Sequence, residues 1–443
     1  MNNGATEQPD VAVIGGGFAG LAAAAYVAKA GPPVTVYERS GHVGGRAMTA
    51  EHGGFRFNLG AHALYRAGAG ARVLAELGVE YHGNKPPLDG WALRHGALER
   101  LPTEPLTTLT TAFFTFGDKI EWGRLAAGAP RIDSAALNGV RLSDWLASRL
   151  RRPAVREFAK ALVRVTSYTN DPDRMSAGAA VRQLQLALKG SVLYLDGGWA
   201  TLVDGLRRAA EKAGARIVTN ARVQAIERGE DGPRVRFAGG SAIEPAAVIL
   251  AAGPAVAAEL VPESAALRRR ASEATPVRAA TLDLGLSSLP RPDQRFVLGI
   301  DRPLYLSVHS GIANGLAPEG GAMVHLMQYL PPEGCDPAAA ERELEALMDL
   351  AQPSWRDLVV ERRFLPNLIV VNDLPTAELG GLPGRPDVPV PDAEGVYVAG
   401  DWVGPEGWLS DGSLASAERA AAAAVAHRRQ GAAAASAFAS AGR

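Results

Sequence analysis

The chain has 443 residues, 47% of them hydrophobic, and a formal net charge of −1. That length accommodates two or three domain-sized units with a large core, and the near-neutral balance argues against a nucleic-acid ligand, which needs a marked basic excess. One cysteine, Cys335, excludes a disulfide within the chain and any Cys-based metal site, which suits a reducing cytoplasm.

The first feature along the chain is the uncharged run Val11–Ala28, which has the look of a signal peptide or membrane span. No Lys or Arg precedes it, so the positive n-region is missing. The run also holds Gly15, Gly16, Gly17 and Gly20. Residues 10–60 read instead as strand, glycine-rich turn, helix, strand and a second glycine loop. No other stretch is long and apolar enough to cross a bilayer, so a cytoplasmic protein is expected, with peripheral contact at a membrane surface left open.

Residues 96–190 read as mostly helical, with Pro- and Thr-rich loops at 101–111. Within 195–255 the pattern predicts a helix, Trp199–Ala213, and short strands at Ile217–Val218, Arg222–Ile226, Val235–Phe237 and Val248–Ala251. The stretch 278–330 reads as strands at Ala280–Leu284, Phe296–Leu298, Leu304–Val308 and Met323–Tyr329. Residues 395–428 read as a strand, a loop and a long Ala-rich helix, and the low-complexity tail from Gln430 is expected to fray. The fold class is α/β. A Rossmann-type nucleotide-binding domain, discontinuous over 1–95, 191–277 and 361–443, is expected to receive an inserted mixed-sheet and helical substrate domain, 96–190 and 278–360.

The chemistry rests on Val11-Ala-Val-Ile-Gly15-Gly-Gly17-Phe18-Ala19-Gly20. Four apolar residues make a buried parallel strand. Gly15 permits the tight turn, Gly17 lets backbone approach a pyrophosphate at the helix N-terminus, and Gly20 lets helix and strand pack closely. A second strand, Val34-Thr-Val-Tyr-Glu38, ends in an acid at the distance that suits a ribose hydroxyl. Next comes Arg39, and then the strap Gly44-Gly45-Arg46, which NAD does not need and the longer FAD does. Phe57-Asn-Leu-Gly60-Ala61-His62 offers a glycine where backbone can lie against an isoalloxazine ring. Near the C-terminus, a strand ends in Gly400-Asp401, an acid suited to ribityl hydroxyls.

These residues resemble the FAD-dependent amine oxidase and phytoene desaturase superfamily. Further matches are Asp196-Gly197-Gly198 before a helix, Gly253 after a strand, and Gly400-Asp401 followed by Ser413–Ala423. The resemblance implies FAD, adenine bonded through the Val223 backbone, and a helix from about Asp411 aimed at the flavin. The sole cysteine lies outside every flavin motif and the strap has no histidine where a covalent link is obvious, so the FAD is expected to be non-covalent. Amine oxidases of this superfamily carry a lysine near the flavin and a cage tyrosine close to the C-terminus. The last lysine here is Lys212, and the tyrosine position falls on Leu409, beside Trp408. The sequence is more similar to the bacterial phytoene-desaturase-related branch.

An FAD-dependent dehydrogenation of an apolar, isoprenoid-like small molecule is therefore expected, with oxygen or a quinone as acceptor. An amine oxidase, or a non-redox isomerase or assembly subunit, is the alternative. No catalytic acid or base is assigned. His62 reads as packed near the flavin or in a loop hydrogen bond, His309 as a strand residue outside the pocket more than in its wall, and Glu406 and Asp411 as caps or solvated acids flanking the flavin face. Trp199, Trp402 and Trp408 read as core or pocket wall. The eight histidines show no metal-ligand spacing. Between Leu101 and Ala129, Leu106, Leu109, Phe113, Phe114, Phe116, Ile120, Trp122 and Leu125 form either the core of a helical subdomain, which their spacing favours, or a membrane-facing rim flanked by Lys119 and Arg124.

Overall fold

The computed structural model describes residues 9–87, 89–103, 105–230 and 232–441. β1 (Val11–Ile14) is buried at every position, as a non-alternating apolar run must be when both faces of its sheet are covered. It turns into α1 (Phe18–Lys29), whose first turn no side chain caps, and the chain returns as β2 (Val34–Tyr37). β3 (Phe55–Asn58) follows the second glycine loop. β4 (Trp91–Arg94) and β5 (Ala97–Arg100) make a hairpin. Helices α2 (Phe116–Gly128), α3 (Pro153–Ser167) and α4 (Ala177–Gly190) occupy the stretch expected to be helical.

After the strand β6 (Val192–Leu195) come α5 (Ala200–Lys212), β7 (Arg216–Val218), β8 (Val223–Arg228), β9 (Ala247–Leu250) and α6 (Pro254–Leu260). Next are β10 (Val277–Leu286), β11 (Phe296–Gly299), β12 (Leu304–Val308), β13 (Ala322–Tyr329) and α7 (Pro337–Ala351). The chain closes with β14 (Val359–Val371), β15 (Val396–Val398) and α8 (Leu409–Ala441). The tail expected to fray is thus helical through Ala441.

One sheet is wholly parallel, in the order β7-β2-β1-β9-β15. α1 packs between α5 and α8, and alanines at 22, 23, 24 and 25 bring these helices together with no exposed surface. The carboxyl ends of β1 and β2 open on one crevice, where doubly wound sheets bind ligands.

The other large sheet runs β14-β10-β13-β12-β11-β4-β5, antiparallel except between β11 and β4. One face packs Leu282, Leu284, Leu306, Val324 and Leu326 on Leu344, Leu347 and Met348 of α7. Strand alternation turns Thr281, Asp283, Tyr305, Ser307, His325, Met327 and Tyr329 to the opposite, inner face. β3 and the segment after it lie over that face. A Cβ on Gly285 would meet the Phe55 ring at 2.8 Å, and one on Gly60 would meet Thr281 Cγ2 at 3.1 Å.

Three differences from the sequence expectations have physical causes. β14 lacks a continuous apolar signal, because Glu361, Arg362, Arg363, Pro366 and Asn367 interrupt it. It is an edge strand, where charge and proline are tolerated. His309 is not in a strand but opens a short 3-10 turn after β12, fully packed. Within 101–129 the chain divides. Phe113 and Phe114 are 3% exposed and pack edge-on against Phe158, as does Trp122, which is a core. Leu109, Phe116 and Ile120 stand in solvent. The Leu106 side chain lies outside those described.

Candidate active site

The glycine turn is held by its own packing. A Cβ on Gly20 would fall 1.8 Å from the Gly15 carbonyl oxygen, so α1 reaches its depth only with glycine there. Gly44, at φ 121°, lies in a conformation that favours glycine, and its N–H donates to Gly16 O at 2.8 Å. The strap is thereby hydrogen-bonded to the turn. Glu38 ties the turn to the loop that leads into the strap: Oε2 accepts from Gly16 N at 2.7 Å, and Oε1 accepts from Ser40 N at 2.9 Å and Ser40 Oγ at 2.7 Å. Arg46 pairs with Asp401 at 2.8 Å and donates to Val370 O at 2.8 Å. Asp401 also accepts from Asn372 N and Nδ2, at 3.1 and 2.8 Å.

These parts surround a cavity of about 430 Å³, within the range of small-molecule sites. Of the eighteen residues singled out in the sequence, seventeen line it: Gly15, Gly17, Phe18, Ala19, Glu38, Arg39, Gly44, Gly45, Arg46, Gly60, Ala61, His62, Val223, Gly253, Gly400, Asp401 and Leu409. The exception is Gly20, buried beneath Gly15. Sequence reasoning missed Tyr168, Met327, Leu368 and Val370, which come from α3, β13 and β14 and complete the inner wall. The one local sign for Tyr168 is conformational: it ends α3 at φ 61°. Leu409 likewise has φ 57°. Bulky residues seldom take that region, and such strain gathers at functional sites.

His62 is held rather than free. Its Nδ1 lies 3.0 Å from Gly60 O, its ring tilts against Trp199 with centroids 4.8 Å apart, and burial pushes the imidazole down to about 4. It is neutral at physiological pH, with Nδ1 engaged by Gly60 O. Trp199 also stacks on Phe18 at 5.2 Å and lines the cavity, whereas Trp402 and Trp408 are core. The Tyr168 hydroxyl donates to Ala61 O at 3.1 Å.

Three tempting residues do not face the cavity. Asp411 turns away and accepts from Gly70 N at 2.8 Å, and burial raises its carboxyl to about 7. Glu406 lies 3.8 Å from Arg72 at the surface. His309 is stacked on Tyr194 at 3.9 Å. No group of three or more His, Cys, Asp or Glu among the described residues is arranged to hold a metal.

A flavin dinucleotide fits these residues. The uncapped amides of α1 open on the cavity, where an anion is stabilised by the helix terminus. A Cβ on Gly17 would meet only Gly44 O, at 4.0 Å, so the glycine keeps the floor clear for a bulky phosphate. Parallel sheet, glycine turn and terminal acid define a dinucleotide-binding protein of the doubly wound class, and the strap extends its crevice toward the second sheet.

A family model for flavin containing amine oxidoreductase matches residues 18–288. The chain belongs to that family, and its cofactor is FAD. It is 30% identical over 263 residues to a putative flavin-containing monoamine oxidase, AofH, of Mycobacterium tuberculosis, a match covering 56% of this chain and 57% of that protein. The chain thus spans little more than half the length of that relative. It is 25% identical over 431 residues to a carotenoid 3,4-desaturase of Haloarcula japonica, covering 80% and 84%. In fold it is similar to an oxidoreductase from Methanosarcina mazei, with a TM-score of 0.76, 20% identity and coverage of 92% and 99%.

Proposed function

We propose that FAD lies along the cavity, with its adenine between β2 and β8 and its ring against the inner wall, and that the chain dehydrogenates an apolar substrate there. The observation that carries this reading is the charge pattern of the lining. Glu38, Arg39, Arg222 and Glu259 belong to the β2 and β8 end, and Arg46 and Asp401 neutralise each other. Ala61, Tyr168, Met327, Leu368, Val370 and Leu409 bring no charge. An ammonium group entering this wall loses its hydration without gaining a counter-ion, whereas a hydrocarbon loses nothing. No lysine follows Lys212 in the sequence, so the wall contributed by β13 and β14 has none. The desaturase name of the Haloarcula japonica relative points to the same substrate class.

On this reading the amides at Gly17, Phe18 and Ala19 and the strap at Gly44 and Gly45 hold the pyrophosphate, Glu38 the ribose and the Val223 backbone the adenine. Gly253 and Gly400 keep the walls low, and Asp401 accepts from the ribityl chain. The Gly60–His62 backbone and the start of α8 at Leu409 border the ring. When bound, FAD supplies the acceptor for the hydride. The protein's own part is to orient the substrate along Tyr168 and Met327 and to exclude water. Tyr168 is the only hydroxyl in that set of six, and its proton is committed to Ala61 O, so it steers by shape.

The exposed Leu109, Phe116 and Ile120, at 69%, 80% and 41%, support delivery of such a substrate from a lipid surface. Lys119, on the helix of Phe116 and Ile120, donates from its ammonium to Leu109 O at 2.6 Å, which keeps a cation at the ridge. Phe116→Asp should leave folding intact and weaken binding to anionic vesicles. Undiminished binding removes the membrane element alone. The dehydrogenation itself is tested by anaerobic mixing. Acyclic polyene substrates should bleach the flavin absorbance, and benzylamine or a polyamine should not. Rapid bleaching by the amines with none by polyenes overturns the assignment in favour of amine oxidation.

A further inference from the structure

The inner face of the seven-stranded sheet holds ionisable side chains that the cavity chemistry above does not use. Asp283 on β10 and His325 on β13 are register partners, both fully buried, and Asp283 Oδ1 lies 2.6 Å from His325 Nδ1. Arg363 on β14 donates to the other carboxylate oxygen through Nε at 3.1 Å and Nη2 at 2.6 Å. Its Nη2 also donates to the Asn58 carbonyl. Asn58 Oδ1 in turn accepts from Trp199 N at 2.9 Å, so the cluster is tied to the cavity wall. Met327, two residues along β13 and on the same face, lines the cavity, which leaves His325 about 7 Å of strand from that wall.

The ring has one nitrogen to spare. Asp283 fixes the Nδ1–H tautomer, which leaves Nε2 as a lone pair. Nε2 is buried with no hydrogen-bond partner. With His325 neutral, Asp283 and Arg363 cancel; with His325 protonated, the cluster carries one positive charge. The other groups facing it are His309, edge-on at 4.6 Å from the turn after β12, His62 from the loop after β3, Tyr305 on β12, and Tyr194 on β6, stacked on His309. Burial holds His309 and His62 below the usual imidazole range and Tyr305 and Tyr194 above the usual phenol range. His325 is the one imidazole of the three in contact with a carboxylate.

We infer that His325 takes up one proton when the flavin in the cavity is reduced by two electrons, so that the Asp283–His325–Arg363 cluster turns positive as negative charge arrives beside it. The inference rests on FAD occupying the cavity as proposed above. In turnover the balance closes. One substrate C–H bond yields a hydride to the flavin, the neighbouring C–H yields a proton and the C=C bond forms, and one proton is bound at His325 Nε2. A two-electron acceptor such as oxygen or a quinone then takes two electrons and two protons. His325 is thus a positioning residue for charge.

The test is the midpoint potential of the holoenzyme as a function of pH, from about pH 6 to about pH 9, in the wild type, His325→Gln and Asp283→Asn. Each proton taken up on two-electron reduction adds about 30 mV per pH unit, because a tenfold change in equilibrium is about 30 mV. The wild type should show that extra slope over part of the range, and both variants should lose it while keeping FAD. Equal slopes in flavin-replete proteins overturn the inference and leave the FAD reading intact; a wild type without flavin overturns both. Should neither variant fold, histidine-selective ¹⁵N NMR of the wild type decides. One buried imidazole should gain its second proton on reduction, and unchanged imidazole signals overturn the proposal.

Discussion

The two ends of the cavity are built from different materials. The end formed by β1, β2 and the strap is made of backbone: amides at the start of α1, glycines at 15, 17, 44 and 45, and one acid, Glu38, that fastens the turn to the loop at Ser40. The inner end is made of side chains brought from α3, β13, β14 and α8, separated by up to 241 residues between Tyr168 and Leu409 (409 − 168). Backbone recognition needs a local sequence, because a turn and a helix terminus are contiguous. A side-chain wall needs only that tertiary structure deliver the right surfaces. The first end should therefore fail by losing the cofactor, and the second by losing substrate fit or local stability.

The largest separable effect should come from Asp411, which lies on α8 behind the inner end and turns away from the cavity. Its carboxyl titrates near 3.9 in an unfolded chain and at about 7 in the fold. The folded state therefore binds the extra proton, and this group's contribution to stability falls as pH rises from about 4 to about 7. The penalty is complete above that, at about 4 kcal/mol for three pH units. Asp411→Asn keeps an acceptor for Gly70 N and removes the charge. Its stability relative to wild type, from denaturant unfolding, should increase across that window and level off above it. A pH-independent difference would place Asp411 in water. His62 works in the opposite sense. With its folded value lowered to about 4 from an ordinary 6.5, it raises stability as pH rises through about 4 to 6.5, so the two groups oppose one another at acidic pH.

At the backbone end, Glu38→Ala removes both the proposed ribose partner and the lock between Gly16 and Ser40. Charge-assisted hydrogen bonds are worth about 1.5–3 kcal/mol each. FAD affinity should fall by about tenfold or more, and the apoprotein should also lose about 1 kcal/mol or more. Fluorescence titration of apoprotein with FAD measures the first, and urea unfolding the second. Unchanged affinity would put the adenosine elsewhere, whereas lost affinity with unchanged apoprotein stability would leave the lock without weight.

The smallest effect belongs to Tyr168→Phe, which deletes the hydrogen bond to Ala61 O. It should cost about 1 kcal/mol, leave FAD content alone and shift the visible spectrum of the flavin. Loss of FAD from this variant would erase the distinction between the two ends.

The same contrast governs what the sequence revealed. The glycine turn, Glu38, the strap and Gly400-Asp401 were legible as cavity lining because each carries its reason within a few residues, whereas Val223 came only from the family resemblance. Tyr168 carried none: it is one aromatic within a helical stretch, and its role depends on the left-handed turn that ends α3 and on Ala61, 107 positions away. β14 was hidden by its own edge position, which tolerates Arg362, Arg363 and Pro366. The aromatics at 113 and 114 read correctly as core, while Phe116 and Ile120 on α2 face outward, a distinction that spacing alone did not make. Asp283 and His325 left no mark in the sequence, because two residues 42 positions apart become partners only through the register of β10 and β13.

The central claim is that one crevice, running from the turn at Gly15 to the wall at Leu409, holds a complete flavin dinucleotide without a covalent bond. Denaturing the purified protein and identifying what it releases tests this most directly. Cys335, the sole thiol, is exposed and outside the cavity. The prediction is one equivalent of FAD in the supernatant and none left on the chain. Release of FMN, release of nothing, or a flavin that stays on the polypeptide would contradict it.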